Sequence, residues 1–308
     1  MKLFHNTFPT LVIAIVALTS FVSSHTPHRR QTPLSDFPQY FRAAQYAQAA
    51  ACHPKLGQHV GNATVVFREG DGRSVPFAYV AYSKVDGIII SYQGTNTSDV
   101  SSIANDVDLA LVPTGALLRD CGISIPALVH DGFQKAWLAS SINISASVDA
   151  QVRLHPMAPI VVVGHSLGGA LAALEYLYVH CRHPDKVIRG ITYGMPRVGN
   201  YHLADAVDQK AARREGGFFS RVVNGNDIIP HLPLRIPVKN IFGYWHSDGE
   251  IWINPANGNK VVKCSGQEDP RCSDSLTFYG AEAHEGTYFG VYLGGPKICP
   301  VPYIHDTL

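Results

Sequence analysis

Charged residues are scarce in this sequence, and neither sign is in excess. Asp, Glu, Lys and Arg make up 16% of its 308 residues, with 25 basic residues against 24 acidic ones. A chain with so little charge and 46% hydrophobic residues is not expected to be intrinsically disordered. The balanced charge also removes the positive field on which nonspecific nucleic-acid binding depends. We therefore expect a folded protein without a nucleic-acid partner.

Apolar runs long enough to cross a bilayer are also missing. The longest run near the N-terminus, Leu11 to Val22, follows Lys2 and precedes two small residues. It is shorter than the roughly 20 residues that a membrane helix needs, and its layout is that of a secretory signal peptide. We expect residues 1–24 to be removed and residues 25–30 to form a propeptide that ends at the dibasic pair Arg29-Arg30. The mature protein is then secreted, without a transmembrane anchor.

Secretion also determines how the six cysteines are interpreted, because an oxidising compartment favours disulfides over metal sites and redox thiols. Cys264 and Cys272 flank a short polar segment and fit a local disulfide. Cys52 and Cys299 lie near the two ends of the mature chain, where a disulfide would close a very long loop. The other two cysteines are left open, as a pair or as free thiols.

The sequence contains motifs for glycosylation but none for a metal or a cofactor. Three sequons are candidate glycosylation sites, and they begin at Asn62, Asn96 and Asn143. No cluster of ligand residues indicates a metal, and no motif calls for an organic cofactor. We expect neither.

Helix and strand patterns alternate along the mature chain. The predicted helices cover Phe41 to Ala51, Phe133 to Val152, Leu167 to His180 and Ala204 to Arg214. The predicted strands cover Ala63 to Phe67, Val75 to Ser83, Gly87 to Tyr92, Pro159 to Val163, Val187 to Tyr193 and Phe218 to Val223. This order predicts an α/β protein with a mainly parallel central sheet flanked by helices. No linker or repeat divides it, so residues 31–308 are expected to form a single domain.

The strongest local motif is Gly164-His165-Ser166-Leu167-Gly168, where a predicted strand meets a predicted helix. Glycines two residues to either side of Ser166 leave room for the strained backbone of such a turn. A glycine-rich turn with an incidental serine is the alternative, and the lysine of a phosphate-binding loop is absent. The motif predicts Ser166 as a nucleophile, which needs a base and an orienting carboxylate to react.

The partners of Ser166 must come later in the chain, because this architecture places them in the order serine, acid, histidine. Asp227 meets the requirement for the acid, since it lies in a loop after the strand Phe218 to Val223. An ordinary Asx turn is its alternative interpretation. His246 and His284 both remain candidates for the base, and spacing alone does not separate them.

Several motifs carry a resemblance. They are Gly164 to Gly169, Tyr193 to Asn200, Asn226 to Pro230 with Leu232-Pro233, and Val129 to Phe133. These motifs follow one another along the chain in the same order as in the fungal class 3 lipases, which they resemble. That family also contains feruloyl esterases. The resemblance runs from the first predicted helix to Cys299, essentially the whole mature chain.

The resemblance implies an α/β-hydrolase fold, with Ser166 as nucleophile and Asp227 as acid. It implies His284 as base, because this histidine precedes an aromatic segment near the C-terminus, whereas His246 matches a second family histidine that is not the base. It also pairs Cys52 with Cys299.

An ester hydrolase needs hydrogen-bond donors for the oxyanion of its tetrahedral intermediate. Leu167, directly after the nucleophile, is expected to supply one backbone amide. The resemblance assigns the second site to Thr95, through its amide and its hydroxyl.

The segment after Thr95 is a lid in lipases of this family. Its apolar residues share one face of a predicted helix, namely Val100, Ile103, Ala104 and Val107. The face is small and has no tryptophan, so we expect weak interfacial activation.

The sequence therefore predicts a monomeric, secreted, lipase-like carboxylic-ester hydrolase with a Ser-His-Asp triad and an acyl-enzyme. Its expected partner is a small-molecule or lipid ester, in part at a lipid-water interface. The overall resemblance favours a lipase, whereas the polar lid favours a feruloyl-type esterase acting on aromatic acid esters of the plant cell wall. A serine peptidase and a non-catalytic binding protein are further alternatives.

Overall fold

A computed structural model describes residues 31–32, 37–94, 109–235, 241–258, 260–294 and 299. Several predictions concern residues outside this description: the signal peptide and propeptide (residues 1–30), Thr95, Asn96 and the lid residues Val100, Ile103, Ala104 and Val107.

The described residues form the following elements. In chain order the strands are β1 (Gln31–Thr32), β2 (His59–Val60), β3 (Ala63–Glu69), β4 (Ala78–Ser83), β5 (Gly87–Tyr92), β6 (Leu111–Pro113), β7 (Leu128–His130), β8 (Ile160–His165), β9 (Ile188–Tyr193), β10 (Gly199–Asn200), β11 (Phe218–Asn224), β12 (Tyr244–Trp245), β13 (Glu250–Asn254), β14 (Lys260–Lys263), β15 (Gly286–Tyr288) and β16 (Val291–Leu293). The helices are α1 (Pro38–Ala51), α2 (Ala116–Asp120), α3 (Asp131–Leu154), α4 (Leu167–Arg182) and α5 (Tyr201–Ala211).

A large mixed sheet runs through the molecule in the order β1-β14-β13-β11-β9-β8-β5-β4-β3-β2. Its centre, from β5 through β8, β9 and β11 to β13, is parallel, and the strands outside this centre pair antiparallel. The central strands β5 and β8 are apolar along most of their length and fully buried, as strands covered on both faces must be. The predicted mainly parallel sheet flanked by helices is confirmed.

Two apolar cores lie on opposite faces of this sheet. Successive residues of β5 alternate between them: Ile88 and Ile90 belong to the core under α3, α4 and α5, whereas Ile89 belongs to the core under α1 and β15–β16. Period-two alternation of a strand accounts for this division. The sheet is thus held between helices and can present its loops at one edge.

Two of the boundaries that differ from the prediction have a clear local cause. β4 begins at Ala78 rather than Val75, because the Asp71 carboxylate accepts hydrogen bonds from the amides of Arg73 and Val75 and holds them in a turn. α5 lies three residues earlier than predicted, since the side chain of Asn200 caps it.

Three disulfides join the described cysteines. Cys52 is bonded to Cys299 and Cys264 to Cys272, which are the two predicted pairs. The remaining cysteines, which the sequence left open, form the pair Cys121–Cys181 between the α2 region and the end of α4.

Two of the sequons lie on described residues. Asn62 is exposed in the turn before β3. Asn143 is exposed on α3, where its side-chain amide donates to Glu69, while the sequon residue Ser145 is buried. A search of the described helices for one that is both long and apolar enough to traverse a bilayer finds none.

The helix α4 carries a buried carboxyl group at Glu175. It accepts hydrogen bonds from the Tyr92 hydroxyl at 3.0 Å, from Trp137 Nε1 at 2.7 Å and from Ser145 Oγ at 3.2 Å. The donors lie on β5 and α3, so this one side chain links the sheet to two helices. Burial raises the pKa of Glu175 to about 7, although the three hydrogen bonds lower it.

We expect Glu175→Gln to change how stability depends on pH. The folded-state pKa of about 7 lies above the ordinary value of 4.5, so the folded wild type binds this proton more tightly than the unfolded chain. The contribution of this proton to the free energy of unfolding is complete below pH 4.5 and is lost as the pH rises to about 7. The uncharged glutamine should avoid this loss, which is of the order of 3 kcal/mol.

Urea unfolding of both proteins across this pH range measures the difference. Glu215→Gln, at an exposed glutamate, is the matched control and should follow the wild type. If the free energy of unfolding depends on pH in the same way in Glu175→Gln and in the wild type, the raised pKa of Glu175 is contradicted.

Candidate active site

Ser166 occupies a sharp turn between β8 and α4. Its backbone has φ 56° and ψ −129°, a conformation that costs energy for any residue with a side chain. A β-carbon at Gly164 would lie 2.0 Å from the backbone oxygen of Gly168, and one at Gly168 would lie 2.2 Å from that of Tyr92. The two glycines are therefore sterically required, as the motif predicts.

Asp227 and His284 form a buried hydrogen-bonded pair. His284 Nδ1 lies 2.8 Å from Asp227 Oδ2, and neither side chain is exposed to solvent. A neutral imidazole that donates from Nδ1 keeps Nε2 as a proton acceptor. The pair therefore has the arrangement of a base oriented by a carboxylate.

Further donors surround this pair. The Ile229 amide donates to Asp227 Oδ1 at 2.9 Å. The Tyr288 hydroxyl lies 3.3 Å from Asp227 Oδ2 and 3.2 Å from the backbone oxygen of His284, within reach of both acceptors. Burial, followed by the charge of Asp227, raises the pKa of Tyr288 well above its usual range, so the hydroxyl keeps its proton.

The loop that carries His284 pairs with the loop that carries Asp227. Gly280 exchanges hydrogen bonds with this loop, donating to the Asn226 oxygen at 2.9 Å and accepting from the Ile228 amide at 3.1 Å. The Asn224 side chain donates to the oxygen of Ala283 at 2.9 Å. These contacts explain how a histidine 57 residues after the acid reaches it.

His165, the residue before Ser166, brings the two halves of the site together. Its ring stacks on that of His284 with centroids 4.6 Å apart, and its Nε2 donates to the His284 oxygen at 3.1 Å. Burial, followed by the neighbouring His284, lowers the pKa of His165 well below its ordinary value. Sequence reasoning missed this contact and that of Tyr288, because no local spacing indicates either.

The reactive atoms themselves are unpaired within the described residues. Neither Ser166 Oγ nor His284 Nε2 has a hydrogen-bond partner there, and both atoms are buried. Such contacts are often long or misaligned in a free enzyme and tighten when substrate binds.

The structure describes one of the two expected oxyanion donors, Leu167. Leu167 is the first residue of α4, so its amide lies at a helix N-terminus, where amides lack an intrahelical acceptor. Thr95 lies outside the described residues. The residue before it, Gly94, approaches the turn closely, since a β-carbon there would lie 3.2 Å from Ser166 Cβ.

Other candidate residues have different partners. His246 is buried, and its Nε2 lies 2.7 Å from the backbone oxygen of Pro230, while Asp227 pairs with His284 instead. One group of possible metal ligands comprises Glu250, Cys264 and Cys272, but the two cysteines share a disulfide and offer no thiolate.

Comparison with known proteins identifies the family. The pattern described as Lipase (class 3) matches residues 89–236. The secreted mono- and diacylglycerol lipase MDL5 of Malassezia globosa is 31% identical over 274 residues, which are 88% of this chain and 83% of that protein. The chain belongs to the class 3 lipase family.

Two further comparisons agree with this assignment. The secreted mono- and diacylglycerol lipase 3 of Gibberella zeae is 31% identical over 92% of this chain and 90% of its own length. The triacylglyceride lipase of Rhizomucor miehei has a similar structure, with a TM-score of 0.69 and 26% identity over 86% of this chain and 98% of that chain. The fold is thus the predicted α/β hydrolase.

This class 3 lipase is a secreted carboxylic-ester hydrolase. The similar proteins favour a lipase and give no support to the feruloyl-type alternative.

We expect Gly194→Ala to damage the site directly. A β-carbon at Gly194 would lie 2.8 Å from His284 Nδ1 and 2.9 Å from Asp227 Oδ2, and the residue has φ +54°. The added methyl group must push the ring from the carboxylate, and a displacement of about 1 Å lowers the rate about 100-fold.

The measurement is kcat on p-nitrophenyl butyrate, with thermal melting to confirm folding. Gly258→Ala is the matched control, because that glycine has φ +66° and open space around its β-carbon position. Equal rates for both variants would refute this account of Gly194.

Proposed function

We propose that this lipase cleaves acyl esters through Ser166, His284 and Asp227, by way of an acyl-enzyme. The observation that carries the proposal is the buried 2.8 Å contact between His284 and Asp227. The His284 ring stacks on His165, the residue before Ser166, which is held at φ 56°. A serine is a poor nucleophile until a base takes its proton, and this pair supplies an oriented base.

In the first half of the reaction, Ser166 Oγ attacks the ester carbonyl carbon and His284 Nε2 takes the hydroxyl proton. Asp227 stabilises the imidazolium. The amides of Leu167 and Thr95, with the Thr95 hydroxyl, hold the oxyanion. When the intermediate collapses, the alcohol leaves with the proton from His284 and the acyl group remains on Ser166.

In the second half, His284 takes a proton from water, and the resulting hydroxide attacks the acyl carbon. Collapse of the second intermediate breaks the bond to Ser166, which regains its proton, and releases the carboxylic acid. The proton of Ser166 leaves with the alcohol and is replaced by one from water, so the enzyme is regenerated and each cycle consumes one ester and one water.

The substrates we propose are mono- and diacylglycerols, the compounds named for the relatives of Malassezia globosa and Gibberella zeae. The segment holding Val100, Ile103, Ala104 and Val107 acts as the lid, and its small apolar face allows attack on dispersed esters as well as at a lipid surface. The protein works as a monomer, with residues 31–308 as its single domain.

Covalent labelling tests the nucleophile. We expect a fluorophosphonate probe to label the wild type at Ser166 and to leave Ser166→Ala unlabelled and inactive, because the probe reacts only with an activated hydroxyl. Asp227→Asn should lower kcat about 10⁴-fold, as loss of the orienting carboxylate does in serine proteases. Labelling of Ser166→Ala would show that another residue is the nucleophile.

A substrate series tests the specificity and the lid. We expect higher activity on monoolein and diolein than on triolein, and none on methyl ferulate. The rate on p-nitrophenyl butyrate should rise smoothly through its solubility limit, because the lid's apolar face is small. A steep increase at that limit, or preferred cleavage of methyl ferulate, would contradict the corresponding part of the proposal.

A further inference from the structure

A buried arginine contacts the segment that follows Asp227. Arg197 is almost fully buried, and it follows β9 by four residues. Its backbone amide donates to the oxygen of Leu232 at 2.8 Å. Its Nη1 donates to the oxygens of His231 and Pro233, the latter at 2.9 Å. One residue thus binds three consecutive carbonyl groups.

These carbonyl groups belong to the segment that begins at the proposed acid. Ile229 to His231 form a 3₁₀ turn that begins two residues after Asp227, and the Ile229 amide donates to Asp227 Oδ1 at 2.9 Å. A shift of the turn therefore moves a hydrogen bond to the carboxylate itself.

The charge of Arg197 is balanced from a distant loop. Glu268 lies between the disulfide-bonded residues Cys264 and Cys272, and its carboxylate accepts from Arg197 Nε at 2.7 Å and from Nη2 at 2.9 Å. Both side chains are buried, and Glu268 also accepts from the amide of His246 at 2.7 Å. Two parallel hydrogen bonds of this kind fix the plane of the guanidinium group.

The backbone of the loop between Cys264 and Cys272 is strained at Glu268. Glu268 has φ 48°, in the left-handed region that residues with side chains avoid. Burial raises the pKa of its carboxyl group, but the hydrogen bonds from Arg197 and the nearby cations outweigh burial and hold the pKa well below the ordinary value. The group is therefore an anion at neutral pH.

We propose that Arg197, with its plane fixed by Glu268, is a positioning residue that holds the turn after Asp227 and thereby the carboxylate that orients His284. This inference rests on the proposed role of Asp227. The hydrogen bonds of Arg197 to this segment end on its backbone carbonyl groups, so the pair acts on His284 through Asp227.

A double variant tests this role without leaving a buried charge unpaired. Arg197→Met alone leaves the charge of Glu268 buried without its partner, which strongly destabilises a protein. Arg197→Met with Glu268→Leu removes both charges while the side-chain donors to His231 and Pro233 are still lost. We expect this variant to fold and to lose kcat on p-nitrophenyl butyrate by about 100-fold, with KM little changed.

The pH profile separates positioning from general damage. A less well placed Asp227 stabilises the imidazolium of His284 less, so the acid limb of kcat/KM should move to lower pH. A smaller amount of folded enzyme lowers the rate at every pH without moving this limb. Arg197→Lys keeps the charge but not the planar fork, and should show the same shift with a smaller loss, even if the double variant does not fold.

The matched control is another buried ion pair. Arg221 and Glu250 are both buried, with 3.7 Å between Nη2 and Oε2, and Arg221 Nε donates to the oxygen of Ser247 rather than to the turn after Asp227. Arg221→Met with Glu250→Leu should leave kcat and the acid limb close to those of the wild type once folding is confirmed by thermal melting.

The outcomes are distinct. If the Arg197 variants keep the kcat and the acid limb of the wild type, the positioning role is overturned. It is also overturned if the Arg197 variants and the control lose kcat equally and the acid limb shifts in neither. An active Ser166→Ala, or an Asp227→Asn variant with the kcat of the wild type, would instead overturn the proposed triad. A shifted limb in the double variant and in Arg197→Lys, but not in the control, supports the inference.

Discussion

The buried hydrogen bond between Asp227 and His284 constrains the surrounding structure. A carboxylate without exposed surface is costly unless donors replace the lost water. Asp227 obtains donors from His284, from Tyr288 and from the amide of Ile229. Because these donors come from separate segments, the loop that carries His284 must lie against the loop that carries Asp227. The position that faces both side chains must be a glycine, Gly194.

The parallel register of the central sheet accounts for the meeting of these segments. Ser166 follows β8, Gly194 follows β9, and Asp227 follows β11, three neighbouring strands that run in the same direction. The carboxyl ends of parallel strands share one edge of the sheet, which is where sites in such folds form. The strand Gly87 to Tyr92 also ends there, and its next residues approach the turn at Ser166.

Features with a local pattern were predictable from the sequence. Strand β5 has the predicted bounds because its apolar residues match a strand buried on both faces, and Ser166 was found because its glycines have a steric cause. The base was not separable by spacing, since His246 and His284 both follow the acid, and only a family resemblance selected one. Glu175 and Glu268 gave no signal, because their partners lie far away in the chain.

The disulfide between Cys52 and Cys299 joins residues that are 247 positions apart in the sequence. Nearly every described helix and strand lies between them. A protease that cuts an exposed turn inside this span therefore produces two pieces that stay covalently joined. In this secreted enzyme, cleavage of one peptide bond therefore alters the structure locally, but the two fragments do not separate. The fragments separate only where a reductant opens the bridge as well.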